Sequence, residues 1–231
     1  LTALEVAVAL AAERAGREGG GRPHVTEADA EASLDTKAHR YGRDDHYDVV
    51  SAFIKSIRGS DPDGALYWLA LMFASGEDAR FIARRLVILA SEDVGLADPQ
   101  GLVVADAAAR ALEFVGLPEA KLNLAHATVY LATAPKSNRV TVALGRAEAD
   151  VRDQPRGEVP GHLRDSHYKG AGELGHGAGY RYPHDDPRGW VAQQHRPEHL
   201  AGRVYYEPSP HGAEEEIAER MRQRSETEQP S

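Results

Sequence analysis

The chain has 231 residues, 42% of them apolar, with 27 Lys and Arg against 36 Asp and Glu and no cysteine. That length suits one large or two small domains whose core needs no staples, and the missing cysteine excludes disulfide scaffolds, thiolate zinc sites and cysteine nucleophiles. A net charge of −9 disfavours nucleic-acid binding by the surface as a whole and leaves only a local patch for it, while no apolar stretch reaches the roughly 18–20 residues that a membrane span requires.

Leu1, Leu4, Val8, Ala11 and Ala15 recur at helical spacing and give a first helix its apolar stripe. The chain opens inside this pattern without an initiator methionine and reads as a fragment of a longer protein. Glu5 interrupts the apolar run and no basic stretch precedes it, which speaks against a secretory leader. A Gly-rich loop over 16–23 follows, Thr26 caps a polar helix reaching about residue 39, and 41–46 forms a charged linker. Val50, Phe53, Ile54 and Ile57 share one face of a helix over 47–58. At the next corner Gly59 is expected to end that helix in a left-handed turn, with Ser60 or Asp61 as the following cap and Pro62 in the first helical position.

A helix over 62–74 turns Leu66, Leu69, Ala70 and Phe73 inward and stops at Gly76. The next, over 78–93, does the same with Phe81, Ile82, Leu86 and Leu89 and ends at Gly95. Asp98-Pro99 opens a helix to 115, Gly116-Leu117-Pro118 separates it from one ending near 132, and Ser137 or Asn138 caps the last long helix to about 152. Short loops between helices of similar length make antiparallel neighbours, so 45–152 reads as a compact helical array. From about 153 to 210 Gly and Pro become frequent. This stretch is expected to be irregular, held by Tyr168, Tyr180, Tyr182, Trp190, Tyr205 and Tyr206, with room for one short strand pair, 190–193 against 203–206. A helix over 212–222 and a disordered polar tail over 225–231 close the chain. The fold class is therefore all-α: an antiparallel helical array followed by an irregular, aromatic- and Gly/Pro-rich segment.

Few residues carry recognisable chemistry. No Gly-x-x-x-x-Gly-Lys-Ser/Thr loop exists, and the glycine-rich run over 16–22 lacks the lysine, the hydroxyl and the preceding strand of a phosphate loop. Gly170-Ala-Gly172-Glu-Leu-Gly175 has the spacing of a dinucleotide fingerprint, but the polar His167-Tyr-Lys169 precedes it instead of a strand. His184-Asp185-Asp186 and His195-x-x-x-His199 offer metal-ligand types, yet Pro197 breaks the turn that a zinc-protease helix needs. Without a Gly-x-Ser-x-Gly elbow there is no support for a serine triad. No catalytic, cofactor or metal residue is assigned.

Two charged groups remain. Lys55, Arg58, Arg84 and Arg85 lie on helices beside Asp61, Asp63, Glu92 and Asp93. Such pairs are mostly solvated and worth about 0–1 kcal/mol, and the four cations are also candidate oligomer or partner contacts. Lys136, Ser137, Asn138 and Arg139 stand where a helix begins and backbone N–H groups can hold an anion, so capping and phosphate contact compete for them. Across 161–206 six Lys or Arg face five acids, and six of the eleven histidines fall there, so its charge rises as pH falls through about 6.5.

Several motifs occur in a fixed order: the run 51–69, Ser91-Glu-Asp-Val-Gly-Leu-Ala-Asp-Pro99, Tyr130-Leu-Ala-Thr-Ala-Pro-Lys-Ser-Asn138, Gly179-Tyr-Arg-Tyr-Pro-His-Asp185, Val191-Ala-Gln-Gln194 and Leu200-Ala-Gly-Arg-Val-Tyr-Tyr206. With them the chain resembles the C-terminal half of the replication-associated recombination protein A family (RarA, also called MgsA), AAA+ ATPases related to the Werner-helicase-interacting ATPase. The resemblance implies that 1–22 is the end of the ATPase lid helix plus a loop, 23–95 a clamp-loader-collar-like helical domain, 96–224 a C-terminal oligomerisation domain and 225–231 a tail. It further implies a homotetramer, cytoplasmic and nucleoid-associated, that acts in DNA replication, recombination and repair at stalled forks. The parent is then a DNA-dependent ATPase whose ATP and Mg²⁺ sites lie upstream of Leu1, with DNA and single-stranded-DNA-binding protein as its candidate partners and no membrane. The sequence departs from the family pattern over 165–171, where Gly170 and Gly172 stand against the short helix expected there. The rival reading is a DNA-contacting module working through Lys136, Arg139 and the His-rich segment 161–206. A third, a hydrolase built on the histidines, requires a bound metal.

Overall fold

The computed structural model describes residues 3–17, 22–30, 43–167 and 174–226, and all regular structure among them is helical. The expectations for a helix over 31–39, for the glycine run 170–173 and for the tail beyond 226 lie outside the described residues. The chain forms two units, the first made of Leu1–Ala90 and Gln100–Ala134, the second of Ser91–Pro99 and Pro135–Ser231.

Unit 1 contains α1 (Ala3–Arg17), α2 (Arg43–Arg58), α3 (Pro62–Ala74), α4 (Ala79–Leu89), α5 (Gln100–Val115) and α6 (Ala120–Thr133). A helical turn over 27–30 follows α1. Thr26 and Asp29 form a reciprocal cap there: the Thr26 amide donates to the Asp29 carboxylate at 2.8 Å and the Asp29 amide to the Thr26 hydroxyl at 3.3 Å. Arg14 of α1 clamps the same carboxylate at 2.7 Å. α2 starts at Arg43, so the charged run read as a linker begins the helix, as acids favoured in a first turn allow.

Helix α6 touches α2, α3, α4 and α5 and forms the middle of the unit. Ala120, Leu124, Ala127, Thr128, Leu131 and Ala132 are all buried on it, and the alanines let the neighbours approach closely. Thr128, the polar member of that set, donates its hydroxyl back to the Leu124 carbonyl at 2.8 Å, so that its own polar group is satisfied in the core. Phe53 and Ile57 of α2, Met72 of α3, Ile82, Leu86 and Leu89 of α4 close around it, each fully buried. Truncating any one of these to alanine removes contacts worth about 2–5 kcal/mol. On α3 the inward row is Ala65, Leu69 and Met72. Ala70, expected inside, is exposed, because the helix is rotated relative to the expected phase and Met72 fills the space.

The α2–α3 corner has no loop. The Asp61 amide donates to the Ser56 carbonyl at 2.9 Å and the Ser60 amide to the Ile57 carbonyl at 3.1 Å, a Schellman closure. The left-handed residue is therefore Ser60, at φ 61°, and not Gly59 as the sequence suggested. Gly59 is the last residue still wound into α2, its amide on the Lys55 carbonyl at 2.8 Å. Asp61 then caps α3 through the Gly64 amide at 2.9 Å, with Pro62 in the first turn. Gly76, at φ 79°, repeats the closure after α3.

Unit 2 is built differently. It holds all but the first residue of a π-turn segment (Ala90–Val94) running into a short turn (Gly95–Ala97), α7 (Arg139–Asp153), three single turns (Gly161–Leu163, Pro183–Asp185, Glu198–Leu200) and α8 (Glu214–Glu226). Among its described residues only Val94, Ala97 and Val191 are buried apolar side chains, whereas Asp93, Ser137, Asp150, Ser209 and Glu214 are buried and polar. The expected strand pair does not form: neither 190–193 nor 203–206 carries strand structure. Both segments use their polar groups elsewhere. The Gln193 side chain exchanges hydrogen bonds with the Arg181 backbone at 3.2 and 2.9 Å, and 203–206 sends alternate side chains to two different buried carboxylates.

A non-glycine residue held at positive φ is strained by about 1–2 kcal/mol, partly offset by the greater chain entropy that glycine loses on folding. Ser60→Gly is thus expected to stabilise unit 1 by about 0.5–1 kcal/mol, read as a higher urea midpoint with an unchanged slope; a lower midpoint contradicts the corner described here.

Candidate interaction surfaces

The organising feature of unit 2 is Glu214, the first residue of α8 and fully buried. It accepts the Ser137 hydroxyl at 2.6 Å, the Tyr206 hydroxyl at 2.9 Å and the Ser209 amide at 2.9 Å. Burial pushes its carboxyl up, but the donors from Ser137, Ser209 and Tyr206 outweigh that and hold it below the usual glutamate range. Burial, reinforced by the carboxylate, pushes the Tyr206 phenol up to about 12. Ser137 also carries the contact to the π-turn: its amide donates to the Asp93 carbonyl at 2.7 Å. Two glycines permit the remaining close approaches. A Cβ on Gly95 would stand 2.7 Å from the Ser137 carbonyl, and one on Gly212 only 2.1 Å from the Ala97 carbonyl, which accepts from the Ala213 amide at 2.8 Å.

A second buried carboxylate anchors the irregular segment to α7. Asp150 receives both Nε and Nη2 of Arg203, at 2.8 and 3.1 Å, and the Tyr205 hydroxyl at 2.9 Å. These donors, Arg203 foremost, keep its carboxyl below the ordinary range against the effect of burial. Two other cations of the segment are likewise tied down: Arg188 grips Asp186 through two bonds at 2.8 Å and Arg164 meets Glu158 at 2.9 Å. On α7, Arg146 pairs with Glu207.

The charged residues singled out from the sequence fall into two places. Lys55 and Arg58 are exposed near the end of α2. Arg84 is exposed on α4, 6.0 Å from the Phe81 ring and 3.9 Å from Asp78. Arg85, half-buried beside it, has an Nε that is buried without a hydrogen-bond partner among the described residues. In unit 2, Ser137 is interior and caps α7 by accepting the Arg139 amide at 3.2 Å, whereas Asn138 at the cap position makes no side-chain capping bond. Lys136 is half-buried, and desolvation lowers its pKa although Asp93 pulls the other way. The structure thus brings Lys136, Asn138 and Arg139 together near the start of α7 and places the Ser137 hydroxyl on Glu214. Among the described residues no group of three or more His, Asp or Glu is arranged to hold a metal, and no helix is long and apolar enough to cross a membrane.

An apolar surface appears where charge patterns gave no hint. At the α5–α6 corner Phe114 is 92% exposed and Leu122 75%, with Val115 and Leu117 also exposed. A signal for it does exist in the sequence. The buried row of α5 is Gly101, Ala105, Ala108 and Leu112, and Phe114 falls off that helical period and has to point outward.

Comparison with known proteins places these features in a family. Residues 59–225 match the family described as MgsA AAA+ ATPase C terminal, and residues 1–58 match one described as AAA C-terminal domain. The chain belongs to the MgsA AAA+ ATPase C-terminal family. The junction of the two matches falls at the α2–α3 corner, within unit 1. Relatives include an AAA domain-containing protein of Mycobacterium tuberculosis, 57% identical over 223 residues, which are 96% of this chain and 48% of the relative. Replication-associated recombination protein A of Bacillus subtilis is 46% identical over 214 residues, 92% of this chain and 50% of that protein. The ATPase WRNIP1 of Dictyostelium discoideum is 38% identical over 167 residues, 72% of this chain and 19% of its own. The chain therefore spans about half the length of the bacterial relatives.

In this MgsA C-terminal chain, Glu214→Ala strands three donors and is expected to cost unit 2 roughly 2–4 kcal/mol. Trp190 fluorescence in a Trp68→Phe background reports that unit. Because the folded carboxyl lies below its ordinary value of 4.5, its stabilisation is complete above that value and fades as pH falls through the folded value. The wild type should accordingly lose more stability between pH 6 and pH 3 than Glu214→Gln does; equal losses contradict the assignment.

Proposed function

We propose that this chain is the self-assembling C-terminal half of an AAA+ ATPase that acts in replication-associated recombination at stalled forks, and that it forms a homotetramer placing four ATPase modules around DNA. Relatives named replication-associated recombination protein A support the process. The observation that carries the assembly is the α5–α6 corner, because a phenylalanine 92% exposed beside Val115, Leu117 and Leu122 marks a contact surface. The oligomerisation domain proposed over 96–224 contains that corner. Lys55, Arg58, Arg84 and Arg85 are proposed as oligomer or partner contacts, with the exposed Lys55, Arg58 and Arg84 foremost. The sequence contains no phosphate loop, so ATP and Mg²⁺ are assigned to the portion of the parent beyond this chain, as is the main DNA contact. A cytoplasmic, nucleoid-associated location and docking of single-stranded-DNA-binding protein follow from the same reading.

The pairing of Arg164, Arg188 and Arg203 with carboxylates leaves the His-rich segment little free positive charge for phosphates. Phosphate contact is confined to Lys136, Asn138 and Arg139.

Light scattering during gel filtration at micromolar concentration should give about four times the 25.0 kDa chain mass, and Phe114→Asp should lower it. A stable monomer sinks the proposal. Strong, steeply salt-dependent DNA binding by this chain alone would favour the DNA-contacting alternative instead.

A further inference from the structure

Helix α4 passes without a loop into the wider winding of Ala90–Val94. A π-turn releases carbonyls from the ordinary helical ladder and recurs at functional sites. Here the carbonyls go to the rest of unit 2. That of Glu92 accepts the Thr141 hydroxyl at 3.4 Å and that of Asp93 the Ser137 amide at 2.7 Å, and after the short turn that of Ala97 accepts the Ala213 amide at 2.8 Å. Val94 and Ala97 are buried at the same place. Gly95 makes this path possible: it stands at φ 54°, and a Cβ there would lie 2.7 Å from the Ser137 carbonyl.

The same residues have a second winding open to them. Continued as an α-helix, 90–97 would pair the Glu92 and Asp93 carbonyls with the amides of Leu96 and Ala97, and Asp98-Pro99 would stop it there. The left-handed Gly95 is what interrupts that ladder, and glycine enters either sign of φ at little cost. Two effects keep the π-wound form as the ground state: release exposes Val94 and Ala97, and it leaves Glu92 and Asp93 near a helix C-terminus, where the dipole disfavours acids. We infer that 90–97 is a register switch: wound as a π-turn it holds the starts of α7 and α8, and wound as an extension of α4 it lets both go. Because Ser137 also binds Glu214, letting go of its amide loosens the buried carboxylate that Tyr206 and Ser209 share. A change of winding at the end of α4 is thereby read out at the polar node, whatever the oligomeric state of the chain.

Hydrogen exchange of the full chain, resolved to single amides by mass spectrometry, tests this with Gly95→Ala, which penalises positive φ, sets a Cβ against the Ser137 carbonyl and raises helix propensity. The expected result has two opposite signs. The amides of 96–98 exchange more slowly than in the wild type, whereas those of Ser137 and Ala213 exchange faster by roughly fivefold or more, the worth of one hydrogen bond. Thr141→Val, which removes only the hydroxyl on the Glu92 carbonyl, should move both sets in the same directions by less. Faster exchange at both sets means that the segment merely unravels, and it overturns the switch. Unchanged exchange at Ser137 and Ala213 overturns it equally. Where lost helical circular dichroism shows that Gly95→Ala does not fold, Thr141→Val decides by the same signs, and exchange there that is unchanged or faster at both sets overturns the inference.

Discussion

Glu214 is the constraint on which the second unit depends. Its buried carboxylate joins the start of α7 through Ser137, the extended stretch through Tyr206 and Ser209, and the start of α8 through its own backbone. A buried charge without partners would be strongly unfavourable, and here three donors from two separate stretches of chain meet the carboxylate. Losing any one stretch would leave the carboxylate exposed to that penalty, which makes the parts interdependent. Asp150 plays the same part for Arg203 and Tyr205. Long irregular segments can hold a defined path in this way without a sizeable apolar core.

Unit 1 follows the opposite logic. α6 is surrounded on several sides, and its alanines and leucines let α2 to α5 close around it, so packing rather than polar bonding sets the arrangement. Its corners are fixed by backbone closures at Ser60 and Gly76. Having packed its interior, this unit still shows Phe114 and Leu122 to solvent. Family membership gives that exposure a meaning, because the bacterial relatives are about twice as long as this chain and the matched half is described as the C-terminal part of an AAA+ ATPase.

Helical periodicity made most of unit 1 legible: Phe53, Ile57, Ile82, Leu86 and Leu89 are buried as their spacing requires. What periodicity could not supply was phase where apolar residues are dense, as in 65–73, where nearly every rotation of α3 offers a plausible inner face. At the α2–α3 corner the residue type misled, since glycine is favoured at positive φ but the hydrogen-bond count from Ser56 and Ile57 sets the closure one residue later. The polar node was not legible. Glu214 opens a run of three glutamates that reads as a solvated helix start favoured by the dipole, and only the distant Ser137 and Tyr206 show that the first of the three turns inward. Asp150 is hidden for the same reason, lying among Asp153, Arg152 and Glu148 on a helix whose charge pattern suggests water on every side.

The chain passes from unit 1 to unit 2 at Ala90–Ser91, returns at Pro99–Gln100 and leaves again at Ala134–Pro135. Residues 91–99 are thus a borrowed piece, covalently part of the first half of the sequence yet bonded to Ser137 and Ala213 of the second. No single cut, whether by protease or by cloning, separates the two bodies cleanly. A fragment ending at 134 would carry nine residues stripped of their partners, and one beginning at 135 would present Ser137 and Gly212 to an empty groove. Dissection of this protein by deletion therefore has to treat 91–99 and everything after 134 as one module.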